Sequence, residues 1–488
     1  MPGISETKNK RFILITFLLF WALYGSVTNL WNQYGYNLMH AGVEALAERG
    51  VFYLEGSPTP RFAQIEVAKP MPGYQTSTDV FRHHGHLYPI KQPGMFFLGA
   101  IVYKPLSLIG LRYVREYNLT SALVSWFTSG LIGAFLVTLL LWQGIIEGLG
   151  RKSALIVAMS IGLSSIFFPY SGVLHHDFLG GCFSYFAYYL LFGPEARKSS
   201  SPLRLLFGGF LAGFAFTTSA LTFFFVIPFG IGVLSSRGMS SFRYFAEGYI
   251  AGLLPLLFYN TVCFGNPFLM SNAVAQDIYT HPSFVSFPKL FDKFIIYFIS
   301  MRWGLWTFSP VLYFAAAGLV LRVTGAHKKS DGWVLLCAVI PVIFFILTIP
   351  SRGGAEFGPR YLLPVIPLLS VGLIPILKAL DMKKHGMAMW HWILWAILGL
   401  SFCAGVTICF TGALRGSMYG MEVHPFLYRL EVGMGLSGIQ ETPGAFPLLY
   451  PIIFLLAAFF YYIPERFLWK DDLSLTDSIH ESSRIGTN

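Results

Sequence analysis

Residues 93–111 read Pro93-Gly94-Met95-Phe96-Phe97-Leu98-Gly99-Ala100-Ile101-Val102-Tyr103-Lys104-Pro105-Leu106-Ser107-Leu108-Ile109-Gly110-Leu111, and the fold turns on whether they cross a membrane. The run approaches the about 20 apolar residues that a span needs. Yet it opens on Gln92-Pro93-Gly94, which disfavours helix, carries Lys104 and Pro105 in its middle, and ends at Arg112 and Arg115. Around it lie other apolar runs, at about 12–30, 119–147, 153–171, 178–193, 203–218, 220–235, 243–263, 307–321, 333–349, 361–377, 389–411 and 446–463. Each span changes sides, so the status of 93–111 decides which face every later loop occupies. Bases mark the cytoplasmic side. With 93–111 excluded, the cytoplasmic loops hold Arg151 and Lys152; Arg197, Lys198 and Arg204; Arg237 and Arg243; Arg322, Lys328 and Lys329; Lys378, Lys383 and Lys384; and the tail has Arg466 and Lys470. The short loops opposite hold few bases beyond Arg352 and Arg360. Counting 93–111 as a span inverts the pattern. The stretch is therefore expected to lie in or re-enter the outer leaflet, leaving about twelve spans with both termini in the cytoplasm.

Composition demands a membrane reading. Of 488 residues, 55% are hydrophobic, 17% aromatic and only 12% charged, and the mean hydropathy is +0.59. Soluble domains carry about 25% charged residues, and 24 acids with 34 bases cannot cover so apolar a chain in water. Disordered, collagen-like, coiled-coil and cytosolic folds are excluded, and an all-α polytopic membrane protein is expected. The net charge of +10 belongs to loops flanking spans and does not point to nucleic acid. Cys182, Cys263, Cys337, Cys403 and Cys409 show no CxxC spacing, so neither a disulfide framework nor a Cys-ligated metal is expected. The first run follows Lys8, Lys10 and Arg11, is too long for a signal-peptide core and reads as a retained span. The chain divides into a cytoplasmic N-terminus (1–11), a transmembrane module (12–380) whose loop 31–118 holds juxtamembrane helices, C-terminal helices with an outer loop (381–470), and a Ser-, Asp- and Glu-rich tail (471–488).

The large loops, about 31–118, 264–306 and 411–446, all fall outside, so the working surface faces outward. No Walker or Rossmann motif appears on the inner side. The densest polar cluster is Thr78-Asp79-Val80-Phe81-Arg82-His83-His84-Gly85-His86-Leu87-Tyr88-Pro89-Ile90-Lys91-Gln92, directly ahead of the re-entrant stretch. The plain alternative is a solvated loop with structural ion pairs. Its position at the bilayer surface, where a membrane-borne substrate presents its head group, favours a site. A carboxylate there can deprotonate a hydroxyl and a cation can stabilise a departing phosphate, so Asp79 is the candidate base and Lys91 the candidate phosphate contact, with His86 and Tyr88 as neighbouring substrate contacts.

A second cluster, Tyr170-Ser171-Gly172-Val173-Leu174-His175-His176-Asp177, falls between spans on the same side. His175, His176 and Asp177 could bind a divalent metal, or Asp177 could cap a helix. The third is Ser351-Arg352-Gly353-Gly354-Ala355-Glu356-Phe357-Gly358-Pro359-Arg360-Tyr361. Glycines let a backbone approach a ligand, and an interfacial Arg360 suits a phosphodiester, with snorkelling to head groups as its alternative. Arg302 in Arg302-Trp303-Gly304-Leu305-Trp306-Thr307-Phe308-Ser309-Pro310 and Glu356 complete the candidate substrate contacts.

In this order the pieces resemble the polytopic lipid-phosphosugar-dependent glycosyltransferases of the GT-C fold, in the bacterial branch similar to protein O-mannosyltransferases and lipid A aminoarabinose transferases. The segment GHLYPIKQPG is similar to the family's GHYYSDKxPG, RWGLWTFSP to its RGLxxxSP, and a YS-containing loop and FGPRYLLPVIP complete the set. The resemblance covers roughly residues 12–380 and implies a catalytic acid in the first large outer loop. Many relatives carry that acid soon after the first span, where this chain has Asn29, Asn32 and Gln33. The carry-over therefore goes to Asp79, with Glu44 and Glu48 as rivals, and the relatives' second-loop acid falls on Asp177.

The expected activity is inverting transfer of a sugar from a polyprenyl-phosphate donor to a hydroxyl acceptor, on lipid, glycan or protein, at the periplasmic face of the inner (plasma) membrane. No cofactor is required by the sequence, although a divalent metal could take part. The alternative from another class is a secondary transporter or lipid flippase. Transporters show paired inverted repeats and midplane polar residues, and no convincing repeat is seen. A non-catalytic scaffold or a polymer ligase could use the same surface.

Overall fold

The computed structural model describes residues 4–28, 33–63, 65, 80–197, 201–275, 287–301, 303–324, 331–349, 357–381, 389–415, 448 and 452. They are mostly helical. Helix α1 (Ile4–Ser26) carries the first apolar run, and α2 (Gln33–Glu44) and the short α3 (Pro60–Ala63) open the loop that follows. Strands β1 (Val80–His83) and β2 (His86–Pro89) pair antiparallel, with His83 opposite His86. Between them His84 and Gly85 take φ of 47° and 84°, the tight-turn geometry that matches strand twist.

The deciding stretch folds as α4 (Gly94–Leu108), 15 residues long. That is about 22 Å, short of the about 30 Å hydrocarbon core. Met95, Phe96, Gly99 and Tyr103 are buried along it, Phe96 lies where a Cβ on Gly42 would be, and Val43 lies where one on Gly99 would be. Thus α4 packs lengthwise on α2, and Lys104 Nζ donates to the Ala47 carbonyl at 2.9 Å.

Helix α5 (Tyr113–Ser125) passes through a π turn, Trp126–Gly130, into α6 (Leu131–Ile146). The run expected at 153–171 divides into α7 (Arg151–Gly162) and α8 (Phe167–Ser171). At the break, the Ile166 N–H donates to Ser309 Oγ at 2.9 Å and Ser164 Oγ donates to the Phe402 carbonyl at 2.9 Å. Next come α9 (His176–Phe192), α10 (Pro202–Thr218) and α11 (Phe223–Phe264). The runs 220–235 and 243–263, expected as separate spans, join in α11 across a kink at Gly238, where φ is 78° and ψ 178°; a side chain disfavours that conformation. Helix α10 lies tightly along the second half of α11. A Cβ on Gly209 or Gly213 would stand 2.1 or 2.2 Å from the Phe245 or Tyr249 carbonyl oxygen, and one on Gly248 or Gly252 1.9 or 2.1 Å from that of Leu206 or Phe210.

The remaining helices are α12 (Ser271–Val274), α13 (Phe287–Phe294), α14 (Leu305–Phe308), α15 (Val311–Thr324), α16 (Gly332–Thr348), α17 (Ile366–Ser370), α18 (Leu373–Asp381) and α19 (Met389–Arg415). The run 361–377 is broken at the turns 363–365 and 371–372, which hold Pro364 and Gly372. Among the described residues, three helices are long and apolar enough to cross a membrane, Tyr113–Ile146, Ala220–Phe264 and Met389–Phe410. Gly94–Leu108, Pro202–Thr218, Val311–Thr324 and Gly332–Thr348 are shorter apolar helices. The run 446–463, apart from Leu448 and Ile452, and the tail 471–488 lie outside the described residues.

The loops expected on the cytoplasmic side meet at one end of the bundle. Arg322 donates to both oxygens of Glu147 at 2.8 Å and through Nε to Asp331 at 2.9 Å, Arg197 donates to Asp331 at 2.8 Å, and Lys378 Nζ donates to the Glu147 carbonyl at 3.2 Å. Arg151 Nε donates to Asn9 Oδ1 at 2.9 Å. The start of α1 and the start of α7 therefore share an end of the bundle.

Candidate functional site

At the opposite end of α9, segments distant in sequence converge. His175 is extended (φ −130°, ψ 126°), and His176 and Asp177 form the first turn of the helix. All three are buried, and their ligating atoms lie within 4.8 Å of one another. Ser219, in the break between α10 and α11, donates its hydroxyl to Asp177 Oδ1 at 2.6 Å. Gly180 makes that approach feasible, since a Cβ there would stand 2.7 Å from Ser219 Cβ. Asp177 Oδ2 and His176 Nδ1 have no hydrogen-bond partner among the described residues, and His176 Nε2 stands 3.4 Å from Oδ2, beyond ordinary hydrogen-bond length. Buried polar atoms are normally satisfied, and the described residues supply no partner to these two. Burial, then His175, Lys91 and Arg360, hold the His176 imidazole far below its ordinary value and so neutral, the form that ligates metal. Two imidazoles and a carboxylate oxygen this close fit a divalent cation.

Lys91 and Arg360, which the sequence placed in two other clusters, thus lie near enough to the His176 imidazole to act on it electrostatically. Ser271 Oγ donates to the Ile90 carbonyl at 2.7 Å, which fixes the chain as it leaves β2 for Lys91. Gln92 and Pro93 are buried, and Gly94 abuts Thr218, to whose Oγ1 a Cβ would come within 2.3 Å. The start of α4 therefore meets the end of α10, one residue from Ser219. Arg360 is buried, its guanidinium 5.1 Å from the Tyr361 ring centre. Its loop is pinned from α8 and α14: the Tyr170 hydroxyl donates to the Phe357 carbonyl at 3.0 Å, and the Phe308 and Phe357 rings meet edge-on at 4.7 Å. Gly358 takes φ 66°, and a Cβ would crowd Ile166 Cγ2 at 2.9 Å.

The hairpin candidates make other contacts. His86 stacks on Tyr53 at 4.2 Å and pairs with Glu55. Tyr88 is buried with Phe81 and Phe264, and burial pushes its hydroxyl up to about 12. Asp79, Glu356 and Arg302 lie outside the described residues. Both rivals for the base are engaged. Glu44 accepts the hydroxyls of Ser57 and Thr59, and burial raises its carboxyl above the ordinary value. Glu48 binds Arg112 and the Tyr103 hydroxyl; burial lifts its carboxyl, but those two partners outweigh it and the net shift is downward. Ser219 and Gln92, whose Nε2 is buried without a partner among the described residues, were not anticipated. The available clue was positional: Gln92 sits inside the densest polar cluster, and Ser219 closes the triplet Thr217-Thr218-Ser219 between two apolar runs.

No family model matches the chain, and no curated protein does. Among solved structures it is similar to the archaeal oligosaccharyltransferase AglB from Archaeoglobus fulgidus, in complex with an inhibitory peptide and a dolichol-phosphate, with a TM-score of 0.46 and 13% identity. The likeness covers 84% of this chain and 57% of that one, so the chain spans little more than half of that protein's length.

Proposed function

We propose that the chain is an integral membrane glycosyltransferase that moves a sugar from a polyprenyl-phosphate carrier to a hydroxyl acceptor on the extracytoplasmic face, with inversion. The observation that carries this reading is the convergence of Lys91, Arg360 and the buried His175-His176-Asp177 cluster at one end of an apolar helical bundle. Two cations where a lipid-borne phosphate would arrive favour binding and departure of that phosphate. In the proposed reaction, Asp79 takes the proton of the acceptor hydroxyl, whose oxygen attacks the anomeric carbon from the face opposite the phosphate. The bond from that carbon to the phosphate oxygen breaks, and Lys91 and Arg360 stabilise the phosphate that leaves. Arg302 and Glu356 are assigned to the donor's surroundings. A divalent cation held by His175, His176 and Asp177 would add positive charge beside the phosphate. The rivals for the base are Glu44, which accepts the Ser57 and Thr59 hydroxyls, Glu48, which binds Arg112 and Tyr103, and Asp177, which accepts the Ser219 hydroxyl.

The test supplies purified protein with polyprenyl-phosphate sugars and follows polyprenyl phosphate by mass spectrometry, with and without chelator. Wild type is expected to release it and Asp79→Asn to lose turnover while keeping its helical content and unfolding temperature. Retained activity in Asp79→Asn moves the base to Glu44, Glu48 or Asp177. Absence of release with every donor, together with uptake of labelled substrate by proteoliposomes, overturns the transferase in favour of a transporter.

A further inference from the structure

The end of the bundle opposite the polar pole carries two arginine groups in different electrostatic situations. Arg197 and Arg322 are neutralised by Asp331 and Glu147. Arg237, one residue before the α11 kink, pairs with no carboxylate among the described residues. Its Nη2 donates to the Leu191 and Ala196 carbonyls at 2.6 and 2.9 Å, where α9 ends. Its Nη1 is shielded from solvent and has no hydrogen-bond partner among the described residues, and Arg204 on α10 is near enough to repel it. Close packing holds the two elements together there, since a Cβ on Gly208 would stand 2.7 Å from the Leu191 side chain. The nearest acid in sequence, the exposed Glu195, acts with Arg204 on the Tyr189 hydroxyl and makes no ion pair with Arg237 among the described residues. A guanidinium that is half-buried, repelled and short of an acceptor calls for an anion. Beside it, Leu203 and Phe207 of α10 and Leu234 and Met239 of α11 expose apolar surface.

We propose that Arg237 and Arg204 bind the phosphate of an anionic phospholipid, its acyl chains lying along the exposed apolar faces of α10 and α11. Basic pockets between helices are suited to such head groups. The site lies a whole helix length from the His175–Asp177 cluster and is independent of the transferase reading.

The test uses the full chain in nanodiscs of phosphatidylcholine with increasing phosphatidylglycerol, with bound lipid counted by native mass spectrometry. Wild type is expected to retain phosphatidylglycerol over phosphatidylcholine. Arg237→Gln and Arg204→Gln should each weaken retention about fivefold, the scale of one basic residue against anionic lipid. Arg243→Gln removes an equal charge from an exposed i,i+4 pair with Glu247 and should leave retention unchanged. Equal retention of both lipids by wild type, or equal loss in all three variants, overturns the proposal. Displacement of the lipid by millimolar inorganic phosphate would instead assign a free-phosphate site. If deleting residues 471–488 raises retention several-fold, the acidic tail is the resident anion and the proposal falls. Should Arg237→Gln fail to fold, the wild-type lipid preference and Arg204→Gln still decide.

Discussion

Asp177 has its two carboxylate oxygens in different situations: Oδ1 is fixed by Ser219, and Oδ2 is left in the cluster. That division was beyond the sequence, because Ser219 lies 42 positions away and only tertiary packing brings it in. Lys91 and Arg360 were legible individually as charges at apolar boundaries. That both bear on His176 was not, since they stood in clusters read separately. The acid rivals show the same limit, for a carboxylate in a loop looks equally free whether or not an arginine meets it. Glu48 provides a test. Its folded carboxyl lies below the ordinary value, so it contributes stability above the unfolded value of about 4.5 and loses it as pH falls further, through the folded value. The unfolding temperature in detergent, followed from about pH 6 down to about pH 3, should therefore drop more steeply in wild type than in Arg112→Gln. Parallel curves would mean that the Glu48–Arg112 pair adds nothing to folding.

Among the elements, the extent of α4 was the most legible, since Gly94–Leu108 falls within the run 93–111. Proline, lysine and a short apolar run argued against a span, and the helix packs along α2 with one face exposed. The breaks within 153–171 and 361–377 were hidden because hydropathy sums apolar character without regard to where a serine or proline interrupts the ladder. The join of 220–235 and 243–263 into α11 was missed for a related reason: Arg237 and Arg243 read as a loop, whereas Arg237 finds carbonyl partners on α9 and the turn of direction is confined to Gly238. The glycine seam between α10 and α11 leaves no room for side chains. Gly248→Leu would drive a Cβ to 1.9 Å from the Leu206 carbonyl, so the helices must separate. The expected cost is about 3 kcal/mol, the upper end for overpacking, read as a loss of unfolding temperature, with Gly399→Ala, where a Cβ meets nothing within 4 Å, as the neutral comparison. A Gly248→Leu variant as stable as wild type would show that the seam is not tightly packed.

Across the whole molecule, polarity is concentrated at two ends of an apolar bundle. One end is a charge-balanced clamp of Glu147, Asp331, Arg197 and Arg322 that ties together α6, α9, α15 and α16. The other is the pole of Lys91, Arg360, His175, His176 and Asp177, built where Gly94, Gly180 and Gly358 let neighbouring segments approach. The composition announced a bundle of this kind and the distribution of bases indicated which loops share an end; the Asn9–Arg151 contact bears that out. The central claim is that the pole receives a lipid-linked phosphate as a unit. Binding of a short-chain polyprenyl phosphate to the purified protein, measured in wild type, Lys91→Gln, Arg360→Gln and the double variant, tests this most directly. Each single change is expected to weaken binding about tenfold, the worth of one charged hydrogen bond, and the double to weaken it further, with Arg243→Gln unaffected; equal affinity in wild type and the double variant would contradict the account.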